Sequence, residues 1–159
     1  MLRLHMDILT LGYGHRPGER SGSGLSRTER NYVDFIISGQ SLKQLIDTST
    51  SERIGIFGWI PDKWYENDRV DEFLGLIPPQ LTTGRTSFYV CPECGDMGCG
   101  AITARIEVTN KQVLWQAFGY ETNYSEPDLS GYQEIGPFTF EKTAYLTTFE
   151  KLRRQILKR

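Results

Sequence analysis

Histidine and cysteine are scarce in this chain of 159 residues, which holds two of the first and three of the second. With only His5 and His15 available, a Cys-His catalytic pair needs one of them to approach the cysteines in space. His5 sits in an alternating stretch and reads as a partly buried, hydrogen-bonded side chain. Three clustered cysteines without a signal peptide fit a reducing cytoplasm better than a disulfide framework. No apolar run approaches the roughly 18 residues of a membrane span. The opening MLRLHMDILTLGYGHRPGER lacks the order of basic flank, apolar stretch and small-residue cleavage site that a leader needs. Charge of either sign is not in excess: the formal net charge is -2, which gives no global footprint for nucleic acid and makes it an unexpected partner. Absent too are a P-loop, a dinucleotide fingerprint, H-E-x-x-H and G-x-S-x-G. Gly12-Tyr13-Gly14 is too short to cradle a phosphate, and there is no internal repeat or domain boundary.

What is present describes an ordinary globular chain, with 38% hydrophobic and 24% charged residues, long enough to bury one core. The reading is a single α+β domain over residues 1-159 with a largely antiparallel sheet, an acidic middle helix and a C-terminal amphipathic helix. Leu2, Leu4 and Met6 alternate with Arg3 and His5, so a half-buried strand is predicted from Met1 to Gly14. Residues 15-30 (HRPGERSGSGLSRTER) have little apolar surface to offset the entropy of ordering them and are predicted to be a mobile, solvated loop. A strand over Asn31 to Ser38 should pair with the first across that loop. Ser41 should cap a short helix bearing Leu42, Leu45 and Ile46, and 47-52 reads as a turn.

After the brief apolar segment RIGIFGWI (53-60), Asp62 is placed to cap a helix over 62-74 that carries Trp64, Tyr65, Glu66, Asp68, Asp71, Glu72, Phe73 and Leu74. Gly75 and Pro78-Pro79 end it. Farther on, Ile102, Ala104, Ile106 and Val108 alternate, as do Val113, Trp115 and Ala117. A two-residue turn at Asn110-Lys111 would set Val108 opposite Val113 and Ile106 opposite Trp115, with the apolar side chains on one face. In the last helix, about 141-157, Tyr145, Phe149, Leu152 and Ile156 make one buried stripe. Its basic end, Lys151 to Arg159, complements the helix dipole.

All three cysteines lie between the strands, in Cys91-Pro-Glu-Cys94-Gly-Asp-Met-Gly-Cys99-Gly. Cys91-x-x-Cys94-Gly resembles a zinc knuckle, in which two thiolates share a tight turn whose amides point at the sulfurs. A structural zinc site takes four ligands. Cys91, Cys94 and Cys99 supply three, and a fourth would have to be Asp96, Glu93, His5, His15 or a group from another chain. A redox pair would want a helix after the first cysteine to lower its pKa, and none is predicted. The third possibility is that small, soft cysteines pack inside a glycine-rich connection.

The string CPECGDMGCG, with FGYE at 118-121 and GPFTF at 136-140, resembles a family of small, mostly uncharacterised bacterial proteins with a C-P-x-C-G-D-x-G-C-G core. The match spans roughly residues 85-145. It implies a bacterial, cytoplasmic α+β domain and assigns no catalytic role.

The absence of a catalytic constellation points to a non-catalytic, cytoplasmic binding protein. The leading expectation is an immunity protein that neutralises a cognate toxin by direct binding. On that expectation Glu66, Asp68, Asp71 and Glu72 meet a basic surface, and Trp64 and Tyr65 anchor it. The alternatives are a zinc-knuckle-stabilised nucleic-acid or regulatory adaptor and, third, a thiol oxidoreductase.

Overall fold

The computed structural model describes residues 5–22, 24–46 and 52–159. Among these the chain is an α+β domain. Strand β1 (Leu9–Arg16) pairs antiparallel with β4 (Arg30–Ile37), and the short β5 (Gln40–Ser41) extends this sheet. Between β1 and β4 lies the small hairpin β2 (Glu19–Ser21) and β3 (Gly24–Arg27). A second, five-stranded sheet runs in the order β10-β9-β8-β7-β6. Its strands are β6 (Ile54–Gly55), β7 (Thr86–Val90), β8 (Ala101–Val108), β9 (Gln112–Glu121) and β10 (Phe138–Glu141). Helix α1 (Leu42–Ile46) follows β5, α2 (Lys63–Phe73) links β6 to β7, and α3 (Lys142–Leu157) follows β10. No helix among the described residues is long and apolar enough to cross a membrane.

Local signals place the helices as expected. Ser41 Oγ accepts the amide of Gln44. Asp62 accepts the amides of Trp64 and Tyr65, satisfying donors that a helix start leaves orphaned. Glu141 caps α3 through the amide of Ala144. The stripe Tyr145, Phe149, Leu152 and Ile156 is buried.

The β8–β9 register is the expected one, with Val108 opposite Val113 and Ile106 opposite Trp115. The expected alternation then fails at Ala117. A bulge gives β9 an extra residue between the Thr103–Gly119 and Arg105–Gln116 pairs. Ala117 adopts φ 57°, and Phe118 takes the core position instead, 1% exposed. The buried guanidinium of Arg85 donates to the Ala117 carbonyl and to Thr103 and faces Glu121 at 3.3 Å. The bulge thus turns its freed carbonyl toward a fixed cation.

Two further expectations are corrected. Among the described residues the first strand starts at Leu9, and His5 and Met6, expected within it, are exposed; the residues before His5 lie outside the described ones. Where a mobile loop is expected at 15-30, β1 runs on to Arg16, the β2–β3 hairpin intervenes and β4 begins at Arg30. Apolar surface was the wrong measure there, because the segment is held by charge. Arg16 Nε donates to Glu52 at 2.9 Å and its Nη1 to Glu93 at 2.7 Å, while Arg27 bonds Glu52. The turn expected at 47-52 lies mostly outside the described residues.

The core forms where the sheets and the two longer helices converge. The Phe35 ring (β4) lies 5.2 Å from Trp115 (β9), 5.6 Å from Phe73 (α2) and 5.9 Å from Phe149 (α3), centroid to centroid. Trp115 is fully buried; its Nε1 donates to the Tyr145 hydroxyl at 3.1 Å, which donates to the Phe73 carbonyl. Trp115→Ala should lower the unfolding free energy by about 3–5 kcal/mol, measured as a fall in the urea midpoint at unchanged slope.

Candidate metal centre

The three cysteines converge at the end of β7. Their sulfurs all lie within 4.8 Å of one another, and Cys94 Sγ is 3.5 Å from Cys99 Sγ. Tetrahedral Zn–S bonds of ~2.3 Å set sulfurs about 3.8 Å apart, so the set matches the spacing of a shared ion. Cys91 is half-buried, whereas Cys94 and Cys99 are exposed. That exposure contradicts the packing reading, since side chains open to solvent fill no core.

Each sulfur is placed by backbone geometry. Gly95 donates its amide to the Cys91 carbonyl at 2.9 Å and has φ 69°, the left-handed turn that glycine adopts without strain. Asp96 N points at Cys94 Sγ at 3.4 Å. Asp96 then caps the 3₁₀ turn Met97–Cys99 by accepting Gly98 N at 3.0 Å, which brings Cys99 back over the first two. Burial pushes the Cys91 thiol up, but the amides of Cys94 and Glu93 and the neighbouring thiols outweigh it, leaving it below its ordinary value. Sharing with Cys94 and Cys91 pushes Cys99 up to about 11. The thiols thus share their protons unequally, and a metal cation bound by all three would displace them.

Two arginines from outside the knot hold its backbone, and Arg16 and Thr28 hold the carboxylate of Glu93. Arg53 donates to the carbonyls of Gly100 (2.9 Å) and Cys99 (2.6 Å) and lies over the Tyr120 ring. Arg30 donates to the Pro92 carbonyl at 2.8 Å and stacks over Trp59. Glu93 accepts from Thr28 N (3.0 Å), Thr28 Oγ1 (2.7 Å) and Arg16. Arg16 and Arg30 come from the segment read as a loop, and nothing in their spacing signals a carbonyl or carboxylate partner more than sixty residues away. At Gly100, φ is 82° and an added Cβ would strike the Tyr120 hydroxyl.

The proposed fourth ligands stand elsewhere. Glu93 is engaged as above, and Asp96 serves its own turn. His15 Nε2 pairs with Glu29 and His5 Nε2 with Asp7. Among the described residues the cluster consists of the three cysteines. Beside the knot, Gly95, Asp96 and Met97 wall a cleft of about 310 Å³ with Ile60 and Tyr65. It shares Gln80, Leu81 and Asn123 with a depression of about 640 Å³ over Glu121.

The acidic face of α2 is largely spent inside the chain. Glu66 is fully buried, accepting Gly58 N (2.7 Å) and Ile60 N (2.8 Å) and facing Arg159 at 3.0 Å. Burial raises its pKa against those donors. Glu72, 4% exposed, accepts Gln80 N and pairs with Arg69. Asp71 bonds Arg153 at 2.6 Å. Of the six residues expected to meet a partner, Trp64 and Asp68 are exposed, Tyr65 and Asp71 are half-buried, and Glu66 and Glu72 are buried. Comparison with protein-family models, curated proteins and solved structures finds no match.

Glu93 gives the clamp a pH signature. Donation by Thr28 N, then by Arg16 and Thr28 Oγ1, pulls its carboxyl from the ordinary 4.5 down to about 2. A depressed folded pKa stabilises the fold above pH 4.5, and that contribution fades as pH falls toward 2. Glu93→Gln should therefore be less stable than wild type at neutral pH, with the gap narrowing through that acid window, as read by denaturant melts along a pH series.

Proposed function

We propose that the chain is a non-catalytic binding protein built round a zinc-thiolate knuckle, with Cys91, Cys94 and Cys99 as the protein ligands. The observation that carries this reading is the convergence of three sulfurs on one surface point, at ion-sharing distance and with backbone amides aimed at them. Thiolates select soft or borderline ions, and zinc suits a tight Cys-x-x-Cys turn. Arg30 and Arg53 hold the knot's carbonyls and Arg16 holds the Glu93 carboxylate, which favours a site shaped before the ion arrives. The natural role for such a knuckle is to stiffen a surface that another macromolecule binds, as in a regulatory adaptor. A thiol oxidoreductase is the weaker reading, because no helix of normal length starts at Cys91 to stabilise its thiolate.

Metal analysis of protein purified without chelator should find stoichiometric zinc. Cys91→Ser, Cys94→Ser and Cys99→Ser should each lose it while keeping the far-ultraviolet circular dichroism of the wild type. Zinc-free wild-type protein would defeat the reading.

Toxin neutralisation is the second reading, and exposed Trp64, 61% accessible and beside Lys63 and Asp68, is the observation that favours it. Its docking face then rests on Trp64, Tyr65 and Asp68 rather than on the buried Glu66 and Glu72 or on Asp71, which is paired with Arg153. Trp64→Ala should weaken capture of a partner toxin by about 2 kcal/mol or more, measured by titration calorimetry, with thermal stability unchanged.

A further inference from the structure

Three thiolates leave one position of a tetrahedral ion to be filled, and the fold restricts what can fill it. The carboxylates nearest in sequence are both committed, Glu93 to Thr28 and Arg16 and Asp96 to the amide of Gly98. Both histidines are paired with carboxylates of their own, His5 with Asp7 and His15 with Glu29. Drawing Glu93 onto an ion would cost the clamp that joins the hairpin segment to the knot. Asp96, whose Oδ1 caps the turn that sets Cys99 in place, is not among the donor atoms that gather at one point. The exposed members of the set, Cys94 and Cys99, turn the remaining corner toward solvent.

We infer that the knuckle binds its ion through Cys91, Cys94 and Cys99 and receives its fourth ligand from outside the chain, as a thiol. This rests on the zinc-thiolate reading above and deepens it. Two properties of the site favour sulfur as the incoming donor. A three-thiolate ion is soft, and closed zinc sites are completed by a further thiolate or imidazole. A zinc ion with four thiolates also carries a net charge of −2. Here the knot's carbonyl rim is lined by the guanidinium groups of Arg30 and Arg53, which offset negative charge gathering on the sulfurs. Binding is a ligand exchange: the incoming thiol loses its proton to solvent, its sulfur bonds the ion, and the water or buffer molecule in that position departs. No oxidation state changes.

The test uses the full chain loaded with cobalt(II) in place of zinc, whose visible bands report the ligand set. Loaded protein is titrated separately with glutathione and with N-acetylcysteine amide, the second standing for a cysteine within a polypeptide. The expected result is a saturable red shift of the visible bands, with sulfur-to-cobalt absorption rising by about one third as the thiolate count goes from three to four. Saturable binding of either thiol supports the external ligand; tighter binding of glutathione favours a free thiol as its source, and tighter binding of the cysteine amide favours a cysteine within a polypeptide. A spectrum that neither thiol changes, or one that Asp96→Asn changes before any thiol is added, overturns the external ligand while leaving the metal site standing. If cobalt gives no thiolate bands, or gives the same bands in a protein with all three cysteines changed to serine, the zinc-thiolate reading itself falls and this inference with it.

Discussion

Phe35 is the contact on which the arrangement turns. Its ring meets aromatic rings from α2, β7, β9 and α3, and together with the buried bond from the Tyr89 hydroxyl to Asp34 it anchors the β1–β4 sheet against the five-stranded sheet. Aromatic rings bury large areas and favour edge-to-face geometry. Phe35 meets Phe57, Phe88 and Trp115 edge-on. With β4 fixed there, its first residue Arg30 and its neighbour on β1, Arg16, stand over the end of β7. From that place Arg30 holds the Pro92 carbonyl and Arg16 meets Glu93. The shape of the cysteine knot thus depends on a hydrophobic contact in another part of the molecule.

Buried charge supports the same construction. Glu66 organises the backbone of Gly58 and Ile60 just before α2, and Arg85 and Glu121 fix the β9 bulge from inside the sheet. A charge removed from water is tolerated when hydrogen bonds and an opposite charge surround it. Glu66, Glu72, Arg85 and Glu121 meet that condition, each having at least one amide, hydroxyl or carbonyl partner besides its ion pair. These groups serve as structural fasteners, and the surface near α2 keeps Trp64 and Asp68 as its open features.

Local chemistry was legible in the sequence wherever a short-range rule governs it. The caps Ser41 and Asp62, the Asn110-Lys111 turn with its register, and the stripe from Tyr145 to Ile156 each follow from residues a few positions apart. The ordering of 16–30 was not legible, because Thr28 finds Glu93 sixty-five residues later and no periodicity encodes such a pairing. The roles of the α2 carboxylates were hidden for the same reason: Glu66 and Asp68 look alike in sequence, and only packing buries one and leaves the other open.

For the cysteine knot the division is sharper. The sequence by itself determined the donor types, the Cys-x-x-Cys turn and the glycines that let it fold back, because these are properties of adjacent residues. Tertiary structure decided that two of the thiols face solvent, that Arg53 holds the Cys99 and Gly100 carbonyls, and that Glu93 is engaged by Arg16 and Thr28. The contacts to Pro92 and Glu93 depend on arginines carried in from another sheet, whose positions are set by the packing of the aromatic core.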